Sequence, residues 1–340
     1  MIPCKEQFSG CLIGQCLGDA TGFPVEGYAQ EACKKYVEET LKTGHAEDRG
    51  RGHFPFGQYT DDSQLARELL QSYAECRRFD PRNYAGRIAS IFSEKRIVGA
   101  GRATAEAAER LSRGISWEKA GTLPPSAGNG SAMRAGPVGL MFFDNPEGLI
   151  KSAYDQGRIT HQDRRCSAGA VAIAGAVALA LQADSIDSRQ FLFRLSEWAH
   201  TIEHTVSSAL LQLIEWISLP PDEAVKFISK AGLGPGYYDE WHGISPFVTG
   251  SVLWSLYSFL RSPGNYLETI RTAVAVGGDV DTTAAMAGAV SGAYLGLKAI
   301  PLQLSQRLTD QGTWGLDELI GLAYRCHDLK MEQMMRGKML

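Results

Sequence analysis

Apolar residues recur at three- and four-residue intervals along most of the chain, as at Leu65, Leu69, Leu70 and Tyr73, and alternating apolar and polar runs with hairpin turns are nearly absent. A 3.6-residue period lines such side chains along one helix face, so the pattern predicts an all-α fold. Helix starts stand at Asp80-Pro81, Asn145-Pro146-Glu147 and Pro220-Pro221-Asp222-Glu223, where a cap followed by proline satisfies or removes amides that lack a partner inside the helix. Loops rich in glycine or proline fall at residues 44–58, 121–131 and 232–247, and loops on a rigid scaffold are where chemistry is usually carried. No internal repeat or linker divides the chain, so one domain over residues 1–340 is expected.

Two segments, residues 168–180 and 284–293, are so rich in Ala and Gly that their helices can approach neighbours closely, and they are expected to form the hub of the bundle. The uncharged run at 166–183 comes close to the roughly 20 residues a membrane span needs, but its small and polar residues favour a buried helix of a soluble protein. A hydrophobic share of 44% and a charged share of 21% fit a globular chain. The net charge of -4 gives no general attraction for nucleic acid, so no nucleic-acid partner is expected. The chain is also expected to be a monomer without a membrane partner. Seven cysteines without a CxxC pair or a Cys/His cluster argue against a disulfide framework and a structural zinc, and point to the cytoplasm. No secretory signal is evident at the amino terminus.

Candidate chemistry sits in two acidic helix starts. In Tyr59-Thr60-Asp61-Asp62-Ser63, Thr60 reads as the cap and the carboxylates fall at the positive end of the helix dipole. In Gly277-Gly278-Asp279-Val280-Asp281-Thr282, an extended backbone would point Asp279 and Asp281 the same way. Neither cluster has histidine or cysteine nearby, and an all-oxygen set selects Mg²⁺ or Mn²⁺ over zinc. Four converging carboxylates repel unless cations neutralise them, so two metals are the economical reading if the clusters meet.

Six ordered stretches carry a resemblance: GCLIGQCLGDATGFPVE at 10–26, YTDDSQLARELLQS at 59–72, VGAGRAT at 98–104, GNGSAMRAGPVG at 128–139, ITH at 159–161 and GGDVDTTAAMAGAVSGAYLG at 277–296. Across nearly its whole length the chain resembles the ADP-ribosylglycohydrolase family, the DraG-like fold. The resemblance implies a compact orthogonal multi-helix bundle and hydrolysis of the bond between C1″ of the distal ribose of ADP-ribose and a serine, arginine or other O-linked acceptor. It implies that Thr60, Asp61, Asp62, Asp279, Asp281 and Thr282 ligate two Mg²⁺ or Mn²⁺. Glu26 matches an acidic residue beside the metals, and Glu26, Asp279 and Asp62 are the implied catalytic groups. Gly99, Gly101, Gly128, Asn129, Gly130, Ser131, Met133 and His161 are implied to contact ADP-ribose.

The chain departs from the family pattern at Gln162-Asp163-Arg164-Arg165, where small residues or proline are more typical, and it lacks the aromatic that often precedes the GNG loop. Adenine stacking is then expected from Phe247 or another loop aromatic. His161 also admits a plainer reading as the cap of the following helix. The stretch Ser251 to Leu260 resembles the branch with serine-linked and poly-ADP-ribose hydrolases, which tilts the acceptor slightly toward an O-linked one. Two alternatives remain: an inactive ADP-ribose-binding or crystallin-like member, and a zinc site at His200-Thr201-Ile202-Glu203-His204, set aside as a solvated helix face.

Overall fold

The structure, a computed structural model, describes residues 2–42, 49–234 and 240–337, so residues 43–48 and 235–239 of the loops expected around the site lie outside the described residues. Among the described residues, pairing outside helices is confined to isolated bridges such as Ile244 with Gly278, and the chain is an all-α bundle. The helices Pro81–Ser93, Pro146–Arg158 and Pro221–Ile228 begin at the three proline-marked starts. Asp80 accepts hydrogen bonds from the amides of Arg82 and Asn83, and Asn145 from that of Gly148. Pro220 has no such oxygen, and Pro221 there simply removes a donor.

Of the two Ala-rich helices, Arg164–Gln182 and Val280–Leu295 are both buried inside the bundle rather than exposed to lipid. The closest partner of the second is the helix Lys5–Gly22, buried continuously from Phe8 onward. The reason is a ladder of glycines. A Cβ added at Gly10, Gly14, Gly18 or Gly22 would collide with the backbone of Gly292, Gly288, Ala284 or Asp281 in turn, and one added at Gly288 or Gly292 would meet the carbonyl of Gly14 or Gly10. The descending partner numbers define an antiparallel pair in which main chain touches main chain. Each interior glycine costs a helix about 1 kcal/mol relative to alanine, which dense packing along the ladder offsets. The carbonyl of Gly14 also accepts a 2.7 Å hydrogen bond from the Tyr266 hydroxyl.

Further ties hold the remaining segments against this pair. Gln15 donates from Nε2 to the carbonyls of Asp62 and Met133, both at 3.0 Å. The helix Asp61–Cys76 is anchored by Arg67, wholly buried, whose Nη1 lies 2.6 Å from Asp310 and whose Nη2 lies 3.0 Å from Glu68. Gln64 adds a donor to Asp310 at 2.7 Å and an acceptor for the Val98 amide at 2.9 Å.

The zinc-protease pattern does not lie on one helix face, contrary to the sequence expectation. The helix Ser188–His200 ends at its first histidine and the helix His204–Trp216 begins at its last, because Glu203 accepts from the Val206 amide as the cap of the second. His200 and His204 therefore belong to two helices, and Glu203 is engaged in capping.

Gly14→Ala or Gly288→Ala should lower stability by about 2 kcal/mol or more through overpacking of a contact that cannot yield. Gly86→Ala, in a helix with open space around its missing Cβ, should instead be neutral or stabilising by up to ~1 kcal/mol. Chemical denaturation of the three variants distinguishes these outcomes.

Candidate active site

The helix Asp61–Cys76 starts at Thr60 by backbone geometry, but the Thr60 side chain does not cap it. The capping carboxylate comes from another helix. Asp19, wholly buried one turn before the end of Lys5–Gly22, accepts from the amides of Thr60 at 3.0 Å and Ser63 at 3.1 Å. The Thr60 hydroxyl lies 3.0 Å from both Asp19 Oδ1 and Asp62 Oδ2. The sequence reading missed Asp19, although it lies inside the first quoted motif. A lone aspartate in an otherwise apolar, glycine-spaced helix is the signal that could have marked it, since a buried charge requires partners.

The second acidic start is not extended as expected. Asp279 caps the helix Val280–Leu295 by position, with φ -82° and ψ 65°, and Asp281 already lies in its first turn. The turn before them is pinned on both sides. Gly278, at φ +87°, accepts from the Gly27 amide at 2.8 Å and donates to the Tyr28 carbonyl at 2.9 Å, while the Asp279 amide donates to Ile244. These bonds set Glu26 beside Asp279. Asn129 donates from Nδ2 to Asp279 Oδ2 at 2.5 Å and to Ser251 Oγ at 3.0 Å, so its side chain holds a carboxylate of the array.

The two clusters meet. One carboxylate oxygen of each of Asp19, Asp62 and Asp281 lies within 4.8 Å of the other two, and the same holds for Glu26, Asp279 and Asp281. Asp281 belongs to both groups. Burial, reinforced by neighbouring carboxylates, pushes Asp61, Asp62 and Asp281 well above the ordinary carboxylate range. Asp19 is pushed up to about 7 by burial, against hydrogen bonds from Ser63 and Thr60 that pull it down. Burial and then Asp279 raise Glu26, which Arg51 opposes through an ion pair of 2.7 Å. Among the described residues, no other ion pair reaches the array. Asp62 Oδ1 is buried without a hydrogen-bond partner. A set of crowded, hard oxygen donors with one left unsatisfied suits divalent cations.

The array borders a cleft of about 530 Å³. Glu26, Asp61, Asp62, Asp279, Asp281 and Thr282 line it, together with Gly99, Gly101, Gly128, Asn129, Gly130, Met133 and His161. Two expected residues do not reach its surface. Ser131 is wholly buried, with its hydroxyl donating to the Cys166 carbonyl at 2.8 Å, and Thr60 stands behind Asp62. The helix Arg102–Ser112 starts at Gly101 without a side-chain cap, and Arg102, Ala103 and Thr104 of its first turn line the cleft. Asp61 Oδ2 accepts from the Gly101 amide at 3.4 Å.

His161 does not cap the helix that follows. Asp163 does, accepting from the Arg165 amide and pairing with the Arg165 guanidinium at 2.7 Å, which accounts for the unusual local sequence. His161 is buried in the cleft wall and pushed down to about 3 by burial and the nearby Arg134. Phe247 lines an adjoining groove of about 480 Å³ that shares Arg102, Gly128 and Trp241 with the main cleft, and Arg165 lies over its ring at 5.6 Å. Trp241, on both grooves, went unnoticed in the sequence, where nothing sets it apart from other loop aromatics. The stretch 251–260 lies in the buried helix Val248–Arg261 and does not line the cleft, so it has no direct means of choosing an acceptor.

Comparison with known proteins agrees with this geometry. The family model for ADP-ribosylglycohydrolase matches residues 3–334. An uncharacterised protein of Archaeoglobus fulgidus is 30% identical, over 95% of this chain and 97% of its own length. ADP-ribosylhydrolase ARH3 of Xenopus tropicalis is 30% identical, over 91% of this chain and 94% of its own, and ARH3 of Homo sapiens is 28% identical, over 87% of each. A solved structure described as an ADP-ribosylglycohydrolase-related protein complex superposes with a TM-score of 0.71 at 26% identity, covering 96% of this chain and 98% of that one. The chain belongs to the ADP-ribosylglycohydrolase family of hydrolases.

Proposed function

We propose that the chain cleaves the bond between C1″ of the distal ribose of an ADP-ribosyl group and an acceptor, a serine or arginine side chain or another O-linked conjugate, and releases ADP-ribose. The convergence of Asp19, Asp62 and Asp281 with Glu26 and Asp279 beside a cleft carries this reading. A diphosphate suits the start of Arg102–Ser112, which has no side-chain cap, because first-turn amides and the helix dipole favour anions without demanding net positive charge. Adenine would occupy the adjoining groove between Trp241 and Phe247.

Two Mg²⁺ or Mn²⁺ would be held by Asp61, Asp62, Asp279, Asp281, Thr282 and, through its hydroxyl beside Asp62, Thr60. Two overlapping oxygen groups that share Asp281 support that number. Bound there, such ions supply positive charge that offsets the carboxylates and orient water and the ribose hydroxyls. Asp19 holds the Thr60-to-Ser63 turn in place from behind. Asn129 fixes the orientation of Asp279, leaving one carboxylate oxygen for the centre. Glu26, raised above the usual range by burial and by Asp279 and only partly buried, is suited to take and return a proton. The developing oxocarbenium charge is favoured by the anionic surround.

Asp62→Ala and Asp281→Ala should each lower kcat by on the order of a thousandfold, the rate equivalent of several kcal/mol of lost electrostatic stabilisation. Glu203→Ala should leave turnover unchanged. Assays on serine- and arginine-linked ADP-ribosyl peptides with Mg²⁺ test this and identify the acceptor, and full activity after chelation would contradict the metal role. Asp19→Asn should weaken metal binding about 10- to 100-fold, as loss of an outer support does, measured by calorimetry.

Stability should also respond to pH. In chelated protein, the folded pKa of Asp19, about 7, lies above its ordinary 3.8, so the folded chain keeps a proton that the unfolded chain has released. Its stabilising contribution is complete below the lower value and lost as pH rises through the higher. Thermal melts between these two values should show a Tm gain on adding Mg²⁺ that grows with pH, because cations displace the retained protons. A gain that is constant with pH would contradict this.

A further inference from the structure

Behind the cleft wall, a buried chain of hydrogen bonds leads to His161 without touching the carboxylate array. Arg134 is wholly buried, and its Nη2 donates to Thr160 Oγ1 at 2.8 Å and to the Gln156 carbonyl at 3.0 Å. Its Nε donates to Gln156 Oε1 at 2.9 Å, and Gln156 Nε2 donates to the Ser131 carbonyl at 2.9 Å, so this amide is fixed in orientation. Thr160 Oγ1 then lies 2.8 Å from His161 Nδ1.

The donor inventory orders these hydrogens. A guanidinium only donates, so Arg134 occupies a lone pair of Thr160 Oγ1. The hydroxyl hydrogen of Thr160 has one acceptor among the described residues, the Nδ1 of His161. Nδ1 therefore accepts, and the single hydrogen of a neutral imidazole sits on Nε2. That side of the ring meets the glycine loop: a Cβ at Gly128 would stand 3.4 Å from Nε2, and one at Gly130 would stand 2.7 Å from Cε1 and 3.2 Å from Thr104 Oγ1. Glycine at these positions leaves the ring edge open to the cleft, next to the first turn of Arg102–Ser112.

We propose that Arg134, acting through Thr160, is a positioning device that holds His161 as a neutral Nε2–H donor aimed at a diphosphate oxygen of the bound ADP-ribosyl group. The choice of ligand rests on the function proposed above, whereas the tautomer rests on the hydrogen-bond chain alone. Burial and the neighbouring guanidinium keep the ring uncharged, with its pKa pushed down to about 3, so the donor persists across the physiological range. A neutral donor in a dry wall recognises an anionic oxygen without adding a cation that would compete with the metals for the nearby carboxylates.

The test is a long-range ¹H–¹⁵N correlation spectrum of histidine-labelled, ligand-free protein, with His161 assigned by its absence in His161→Ala. The expected result is the Nε2–H tautomer in the wild type, conversion to the Nδ1–H form or a mixture in Thr160→Val, and retention in Thr160→Ser. Thr160→Val should also bind ADP-ribose about tenfold more weakly, the size of one lost hydrogen bond, with Mg²⁺ affinity unchanged and Thr160→Ser close to wild type. An Nδ1–H wild type, or a Thr160→Val protein whose tautomer shifts while ADP-ribose affinity holds, would overturn the proposal. The wild-type spectrum needs no variant to fold and decides the tautomer by itself. A wild type that binds no ADP-ribose would overturn the proposed ligand and function, and the same spectrum would still decide the hydrogen-bond chain.

Discussion

Where the helix Lys5–Gly22 lies against Val280–Leu295, main chain meets main chain, and the glycines at 10, 14, 18 and 22 leave no side chain between them. The register of that contact determines where Asp19 and Glu26 stand relative to Asp281. Gly22 sits against the backbone of Asp281, so the carboxyl end of one helix and the amino end of the other coincide. Gln15 carries the same constraint to the Asp62 carbonyl and to the Met133 loop. Three segments distant in sequence are thus brought to one point by dense backbone packing, and the cleft opens there.

That convergence is costly by itself. Six carboxylates raised by burial, four of them further by neighbouring acids, with one ion pair to Arg51 among the described residues, form a site that favours either protons or cations. Much of the surrounding structure limits the cost locally. The start of Asp61–Cys76 spends its orphan amides on Asp19, and Asn129 and Ser251 support Asp279. The Arg67–Asp310–Glu68 network fixes the same helix with buried ion pairs of its own. The rest of the cleft lining is of another kind: glycines, the first turn of Arg102–Ser112 and a neutral histidine, all suited to a ligand that is itself anionic.

The parts of this arrangement that were legible in the sequence are those governed by local rules. Proline and polar residues at 80–81 and 145–147 marked helix starts because capping is decided within a few residues. The two acidic starts stood out, and the resemblance joined them, as residue pattern alone could not. Asp19 escaped because its partners, the Thr60 and Ser63 amides, lie more than forty positions away. The four-residue glycine spacing that names its helix as a close-packing one was in plain view. The resemblance implies that Ser131 contacts ADP-ribose, whereas its hydroxyl donates to the Cys166 carbonyl, a partner thirty-five positions away that local pattern does not reveal. His200 to His204 matched a metal pattern on an assumed helix, yet Glu203 satisfies the amides of the next helix and so breaks the chain between them. Trp241 gave no signal, since its place on the cleft depends on how a loop crosses the surface.

Electron paramagnetic resonance of chelator-stripped protein titrated with Mn²⁺ tests most directly whether these acids share a pair of ions. Two equivalents per chain, with a spin–spin coupled spectrum that disappears in Asp281→Ala, is the predicted result, because Asp281 is common to both oxygen groups. A single uncoupled ion, or coupling that survives the loss of Asp281, would contradict it.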